Sequence, residues 1–570
     1  MSFSLEVGLL QLMELVLLGL PLVAATMFAA WRGLRSTVLL IGVALATSGV
    51  IAMLMLGAYF LSPSVGKTFA FLVVFGSSAL IAALARNSDA RAPLRPLATP
   101  FALWILASFF ISYLGFLHST NGLPLETAGR RFGAMPNDNA LPAVFATYFY
   151  EHGHHGVAPP FGDWLSSDRP PLQTGYVLAV RPFGWDEPGN HYTMLGVALQ
   201  MFWVFGMWAL LQATNLGRRL RSLILIGAMV SDVAIIHGFF VWPKLITAGF
   251  LLTAAGMAYM PEWKDWVRDP RVGVLFAVLI TLAMLSHGSS VFFVVPLLVF
   301  AFWRARPSWR WLAAAVVAAL ILYAPWVAYT HYKDPPGNRL EKWQLGGNDE
   351  ITEKGTLATI ADGYREEGVG GTISNKWSNV QSILGISEIR VLLENVRGHE
   401  KPGRVAHTIE ELRFLRYFGL FPFLGLLLLG PLAMAIRAAV DRGGGRGPEW
   451  RFVSRFGLLT LAIIAFWALV MFGNEISESV IHQGSLAVPM LCIAICVAAA
   501  YAVDWRFALA LVAVNAILVL VLYVPSLSPP PETTYSAFAA LAGAVALACF
   551  IAIAWLQPWV TDSTAPITAK

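Results

Sequence analysis

Apolar runs of about 20 residues, the length that crosses a bilayer as an α-helix, recur from one end of this chain to the other. That repetition leaves little choice of fold. Each run is apolar throughout, without the two-residue alternation of a barrel strand, so the spans are expected to be helices that satisfy their own backbone. Composition points the same way. Only 13% of residues are charged and 57% are hydrophobic, against about 25% charged in a soluble domain; mean hydropathy is +0.65. The expected fold is all-α, a polytopic membrane protein of about fifteen spans. They fall at 7–31, 37–61, 67–85, 99–117, 192–214, 222–241, 244–260, 272–287, 290–303, 311–330, 417–436, 456–473, 484–503, 507–527 and 536–557.

The net charge of +5 sits mostly in short connecting loops, which makes it a topology signal and not a nucleic-acid footprint. Every second loop is basic: Arg32 and Arg35; Arg86, Arg91 and Arg95; Arg218, Arg219 and Arg221; Lys264, Arg268 and Arg271; Arg304, Arg306 and Arg310; then Arg437 to Arg455. The alternate short loops carry little beyond Lys67 and Lys244. The positive-inside rule then puts the C-terminus in the cytoplasm, and the N-terminus and the two long polar segments, 119–190 and 331–416, outside. The first apolar run lacks a preceding basic region and is long enough to span, so no cleaved leader is expected. Cys492, Cys496 and Cys549 lie in apolar runs and offer neither a disulfide framework nor metal-ligand spacing.

Water-phase chemistry is therefore expected in the two long segments. In the second, helical spacing of Ile389, Leu392, Leu393 and Val396, and a capping box at Thr408–Glu411, predict short helices at the membrane surface. Gly443-Gly444-Gly445 reads as a linker: no strand precedes it and no Gly-Lys-Ser follows. In the first segment Asp138 lies in a polar turn before an amphipathic stretch, Ala140–Tyr150, which Asn137 or Asn139 would cap. A carboxylate held near the membrane boundary can act as a general base. Asp168-Arg169 precedes Pro170-Pro171, which are expected to hold it extended. An acid beside a guanidinium can orient a hydroxyl and pair with a phosphate oxygen.

These residues carry a resemblance. Asp138 soon after a span, a surface helix, Asp168-Arg169-Pro170-Pro171-Leu172 and a return to the membrane together resemble the first outer loop of the GT-C glycosyltransferases. The likeness is greatest to the lipid A aminoarabinose transferase and protein mannosyltransferase branch, which uses polyprenyl-phosphate sugars. The resemblance covers about residues 99–330, a seven-span core module. It leaves 1–98 as a three-span extension, 331–416 as the second outer loop and 417–570 as C-terminal spans. It implies Asp138 as the catalytic carboxylate, Asp168 as the second acid and Arg169 as the basic position. Three departures stand out: Asn139 where the family often has Glu, Arg169 where Lys is common, and three spans before the loop where the family usually has one.

The expected activity is inverting transfer of a sugar from a polyprenyl-phosphate donor to a hydroxyl of a glycan, lipid or protein, outside a bacterial inner membrane and in service of the cell envelope. Lys244 and His287, at outward helix ends, are expected to join Arg169 on the donor phosphate. His237, Tyr329, His331, Lys333 and Arg339 are further candidate substrate contacts, with Asn137 and Asn139. His152, His154 and His155 could bind a divalent metal, which some GT-C enzymes use, although adjacent His residues on a Gly-containing turn seldom converge. No nucleotide motif is present. Two rivals remain. An O-antigen polymerase or ligase would place its essential residues at Arg397, His399, Arg404 and His407. A transporter would carry charge at mid-span, where Asp232 is the main exception to a scarcity.

Overall fold

The computed structural model describes residues 3–92, 94–119, 137–184, 188–348, 350–386, 389–390, 393, 419–440, 447–473, 486–523 and 534–556. Among them the regular structure is helical, apart from a two-residue antiparallel pairing of His118 with Tyr535 and Ser119 with Thr534 and an isolated bridge between Phe161 and Trp164. Helices of eight residues or more are numbered here. They are α1 (Phe3–Trp31), α2 (Thr37–Leu61), α3 (Pro63–Leu84), α4 (Leu94–Gly115), α5 (Leu141–His152), α6 (Leu172–Val180), α7 (Pro188–Gln200), α8 (Trp203–Gln212), α9 (Arg218–Met229), α10 (Asp232–Phe240), α11 (Leu245–Tyr259) and α12 (Pro270–Ser286). There follow α13 (Val291–Arg304), α14 (Trp309–Tyr332), α15 (Arg339–Gly346), α16 (Thr356–Leu384), α17 (Leu429–Val440), α18 (Pro448–Val470), α19 (Ala487–Val503), α20 (Trp505–Tyr523) and α21 (Ala537–Leu556).

Each of the expected apolar runs falls on one helix or a consecutive group of helices, yet the span count differs. Among the described residues, ten helices are long and apolar enough to cross a membrane, and α9 with α10, bent by 49°, makes an eleventh. Four apolar helices are shorter: α11, α12, Gly288–Arg304 and α19. At a rise of about 1.5 Å per residue, fewer than about 20 residues fall short of a hydrocarbon core of about 30 Å. Local chemistry sets the boundaries. Ser62 accepts from the Ser64 amide ahead of Pro63, and Asp269 from the Arg271 amide ahead of Pro270. Proline fits the first turn because its missing N–H would have no helical partner there. At the 49° bend Ser231 accepts from the Ala234 amide and restarts the helix.

The centre of the bundle is the α7–α8 span, whose apolar window is 100% buried. The equivalent windows of α3 and α14 are 11% and 17% buried, so those helices give most of their surface to lipid. Close approach depends on glycine at α8: a Cβ on Gly206 would lie 2.5 Å from the Gly249 carbonyl oxygen of α11, the small-residue contact that lets membrane helices pack backbone to backbone. The N-terminal helices are not peripheral. One continuous core runs from Val7 to Ala554. In it Gln11 of α1 accepts from Ser112 of α4 at 2.5 Å, and Tyr176 of α6 donates to Ser48 of α2 at 3.0 Å.

The first polar segment is not one loop. It contains α5 and α6; of the stretch expected to be extended, Asp168 ends a 3-10 turn, Ser166–Asp168, Arg169 is extended, and Pro171 is the αR residue that opens α6. In the second segment the expected short helices include one of 29 residues, α16, kinked at Gly368 where φ is 64°. Residues 389–390 and 393 of the expected 387–396 helix are helical. Its remainder, the Thr408–Glu411 box, the 443–445 linker and Arg397, His399, Arg404 and His407 lie outside the described residues.

Candidate functional site

Asp138 lies in a 3-10 turn, Asn137–Ala140, that runs directly into α5. Asn139 does not cap that helix, which has no side-chain cap; its Nδ2 instead donates to the Phe240 carbonyl at 2.9 Å. The side chain of Asn137 lies outside the described residues. Tyr192 of α7 donates to the Asn139 carbonyl. Gln173 of α6 donates to Tyr192 Oη at 2.8 Å and to the Val241 carbonyl at 2.9 Å. Val241 stands between α10 and α11 at φ 54°, a left-handed conformation rare for a β-branched residue. Gln200 completes the set: its Oε1 accepts from the amides of Leu245 and Ile246 at 3.0 and 3.2 Å. A buried polar network thus fixes the Asp138 turn to a break in the membrane helices, where freed backbone groups need partners.

The second component is Ser166–Arg169. Arg169 Nη2 makes an ion pair with Asp138 Oδ2, the two side chains being 10% and 2% exposed. The guanidinium also lies over the Trp164 ring, 4.7 Å from its centroid. Burial pulls Arg169 down to about 10, which leaves it cationic at neutral pH. Asp168 is spent differently. Its Oδ2 accepts from the Leu165 amide at 2.8 Å and from Arg339 Nη1 at 3.2 Å. Burial raises its carboxyl above the ordinary value, against the downward pull of Leu165 N–H and Arg339. Asp334 makes a second link between the polar segments, accepting from Ser166 Oγ at 2.5 Å and the Ser167 amide at 2.8 Å.

These groups border two connected spaces. A cavity of about 630 Å³, apolar over most of its wall, carries charged and polar groups of Asp138, Ser167, Asp168, Arg169, His287, Arg339 and Glu341 beside Trp164 and Trp242. Beside it an apolar groove of about 410 Å³ runs between α2, α5 and α14, lined by Met53, Leu56, Gly57, Phe60, Phe145, Phe149, Trp326 and Tyr329. Arg169 and Trp326 line both. The arrangement brings a cation, a carboxylate and indole and hydroxyl donors to the place where the cavity meets the apolar groove.

The sequence-expected residues divide accordingly. Asp138, Asp168, Arg169, His287 and Arg339 line the cavity; Tyr329 and Lys333 line the groove. Lys244 is fully buried and lies 3.2 Å from the Trp242 ring centroid. His237 stacks on the same indole. Both stand behind the cavity wall and not in its lining. His331 packs on Tyr332, a groove residue, but lines neither space itself. His154 Nδ1 lies 3.2 Å from the Phe60 carbonyl oxygen, and His152 stacks on Tyr148. Among the described residues no three His, Cys, Asp or Glu side chains are grouped to hold a metal.

Sequence reading missed Ser167, Gln173, Tyr192, Gln200, Trp242 and Asp334. Gln200 carried a usable signal, since an amide within an apolar run must find a partner. Also missed was Glu14 of α1, fully buried and 3.2 Å from His191 Nδ1. No protein-family model, curated protein or solved structure matches this chain.

Proposed function

We propose that this chain is an integral-membrane glycosyltransferase of GT-C type that uses a polyprenyl-phosphate sugar. The observation that carries the reading is the buried Asp138–Arg169 pair where a cavity bearing charged groups meets an apolar groove. A polyprenyl phosphate has that division: a hydrocarbon chain suited to the groove and a charged headgroup suited to Arg169. The sugar would occupy the cavity.

The chemistry is a single displacement. Asp138 takes the proton from an acceptor hydroxyl; the oxygen attacks the anomeric carbon; the bond from that carbon to the phosphate oxygen breaks, with inversion. Polyprenyl phosphate leaves with one more negative charge, which Arg169 neutralises as it develops. Asp168 belongs to the framework that holds the two polar segments together. The distribution of basic loops supports a cavity that faces the outer side of a bacterial inner membrane. A glycan, lipid or protein hydroxyl is the acceptor, in cell-envelope modification.

The test is transfer of a radiolabelled sugar from polyprenyl-phosphate donors to envelope acceptors by protein reconstituted in vesicles. Activity that falls about 10²–10⁴-fold in Asp138→Asn, the range for loss of a general base, supports the reading. Full activity in that variant sinks it. Transport of a lipid-linked sugar is the second reading, favoured by the buried Glu14–His191 pair between α1 and α7. Flipping of a fluorescent polyprenyl-phosphate sugar without chemical transfer would decide for it.

A further inference from the structure

Four polar atoms on residues lining the cavity are buried and have no hydrogen-bond partner among the described residues: Asp138 Oδ1, Ser167 Oγ, Arg169 Nε and Trp242 Nε1. Asp138, Ser167 and Trp242 are 3%, 8% and 2% exposed. A buried polar group left unmatched is unfavourable, so four on one cavity is a costly arrangement unless a ligand completes it. Their chemistry is specific. The hydroxyl, guanidinium N–H and indole N–H can donate. The carboxylate oxygen accepts. An anion with several acceptor oxygens matches the three donors, and a hydroxyl matches the acceptor.

The three donors come from two sides of the cavity. Ser167 and Arg169 lie on the segment leading to α6, and Trp242 on the break between α10 and α11. Asn139 ties the Asp138 turn to that break through Phe240, which sets Asp138 between the two. Lys244 lies against the Trp242 ring, adding positive charge behind the indole donor. The Arg169–Asp138 pair obstructs both partners as it stands. A carboxylate sharing its charge with a guanidinium is a weaker base, and a guanidinium engaged at Nη2 has less to give a phosphate.

We propose that Ser167 and Trp242 are further donors of the seat for the donor phosphate, and that a phosphate bound there draws Arg169 away from Asp138. The base is then released only once the donor has bound, which makes the order of binding donor first, acceptor second. The proposal rests on the glycosyltransferase reading only for the origin of the phosphate.

The experiment is binding of geranyl phosphate, with geraniol and inorganic phosphate as comparison probes, to the full-length protein in nanodiscs. Wild type is expected to bind geranyl phosphate, and geraniol more weakly. Trp242→Phe keeps the ring and loses the donor; Ser167→Ala loses the hydroxyl. Each is expected to weaken geranyl phosphate about tenfold, while Ser167→Thr restores it and Arg365→Gln, exposed on α16, has no effect. Asp138→Asn is expected to tighten it about tenfold, because Arg169 no longer has a competing carboxylate. Unchanged binding in both donor variants overturns the seat, and unchanged or weaker binding in Asp138→Asn overturns the competition. In turnover, Trp242→Phe is expected to raise the donor KM more than it lowers kcat. Phosphate binding that follows this pattern in a protein inactive with every polyprenyl-phosphate sugar would leave the seat standing and remove the transferase reading.

Discussion

Arg339 Nη1 donates to Asp168 Oδ2 across 3.2 Å, joining two polar segments 171 positions apart in the chain. The same guanidinium holds the Asp163 carbonyl at 2.5 Å and the Asp163 carboxylate at 3.1 Å. Asp168 is 2% exposed in its side chain and Arg339 11%. Removing one member of a buried pair strands the other charge, whereas removing both does not. Arg339→Met is therefore expected to destabilise the protein by about 3 kcal/mol. The double variant Asp168→Asn/Arg339→Met is expected to cost much less than the sum of the single changes. Thermal unfolding of detergent-solubilised variants supplies the cycle, and additive losses would count against the clasp.

The Asp168 carboxyl adds a pH dependence of known sign. Its pKa in the fold is raised, with burial outweighing the Leu165 amide and Arg339. A raised carboxyl binds its proton more tightly folded than unfolded, so it contributes stability that is present below the unfolded value, about 4. That contribution is lost as pH rises through the folded value. The melting temperature of wild type relative to Asp168→Asn is expected to decline as pH climbs from about 4. A difference between the two that does not vary with pH would remove the effect assigned to this side chain.

The network around Asn139 makes a different kind of prediction. Gln173→Leu leaves volume nearly unchanged but strips donors from the Val241 carbonyl and Tyr192 Oη. Both acceptors are buried, so a cost of about 1–3 kcal/mol is expected. The transfer rate is expected to fall as well, because the Asp138 turn hangs on Tyr192 and on the Phe240–Val241 break. A position that merely packed would lower the melting temperature and leave kcat per folded molecule unchanged.

Gly175 tests the link between α2 and the site. A Cβ there would meet the Ala52 carbonyl oxygen at 2.2 Å, a contact backbone cannot relieve without moving α6, which Pro171 joins to Arg169. Gly175→Ala is expected to cost about 1–3 kcal/mol through overpacking, together with most of the transfer activity. Gly457→Ala, where nothing lies within 4 Å, is expected to preserve both. Equal behaviour of the two variants in unfolding and activity assays would show that α2 does not brace the site.

How much of this was legible in the chain follows from which forces act locally. The apolar helices were, because each is a continuous apolar run, but how many of them are long enough to cross was not, and the starts at Pro63 and Pro270 lie ahead of the expected 67 and 272. Asp138 and Arg169 were singled out by their place between spans and prolines, but their mutual contact was not, because it depends on how α5 and α6 fold back. Lys244 looked like a cation at the membrane boundary. Its residence behind Trp242 is a tertiary fact, set by the left-handed turn at Val241. The part played by α2 was hidden for a similar reason. Residues 1–98 read as an extension because nothing in an apolar run states which helix it will touch, yet Met53, Leu56, Gly57 and Phe60 form a wall of the groove.

That wall supports a last prediction. Gly57 lines the groove, and a Cβ placed on it has no neighbour within 4 Å, so a larger side chain there can be accommodated by the fold while filling the space. Gly57→Leu is expected to leave the stability within about 0.5 kcal/mol of wild type, the range for substitutions without steric conflict. In transfer assays it is expected to raise the KM for a long polyprenyl-phosphate sugar about tenfold, the loss of one or two well-packed CH₂ contacts. A geranyl-phosphate sugar, whose chain is too short to depend on the full groove, is expected to lose much less. The discriminating quantity is the ratio of kcat/KM for long and short donors. If Gly57→Leu lowers both equally, the hydrocarbon chain lies elsewhere and the groove between α2, α5 and α14 is not its path.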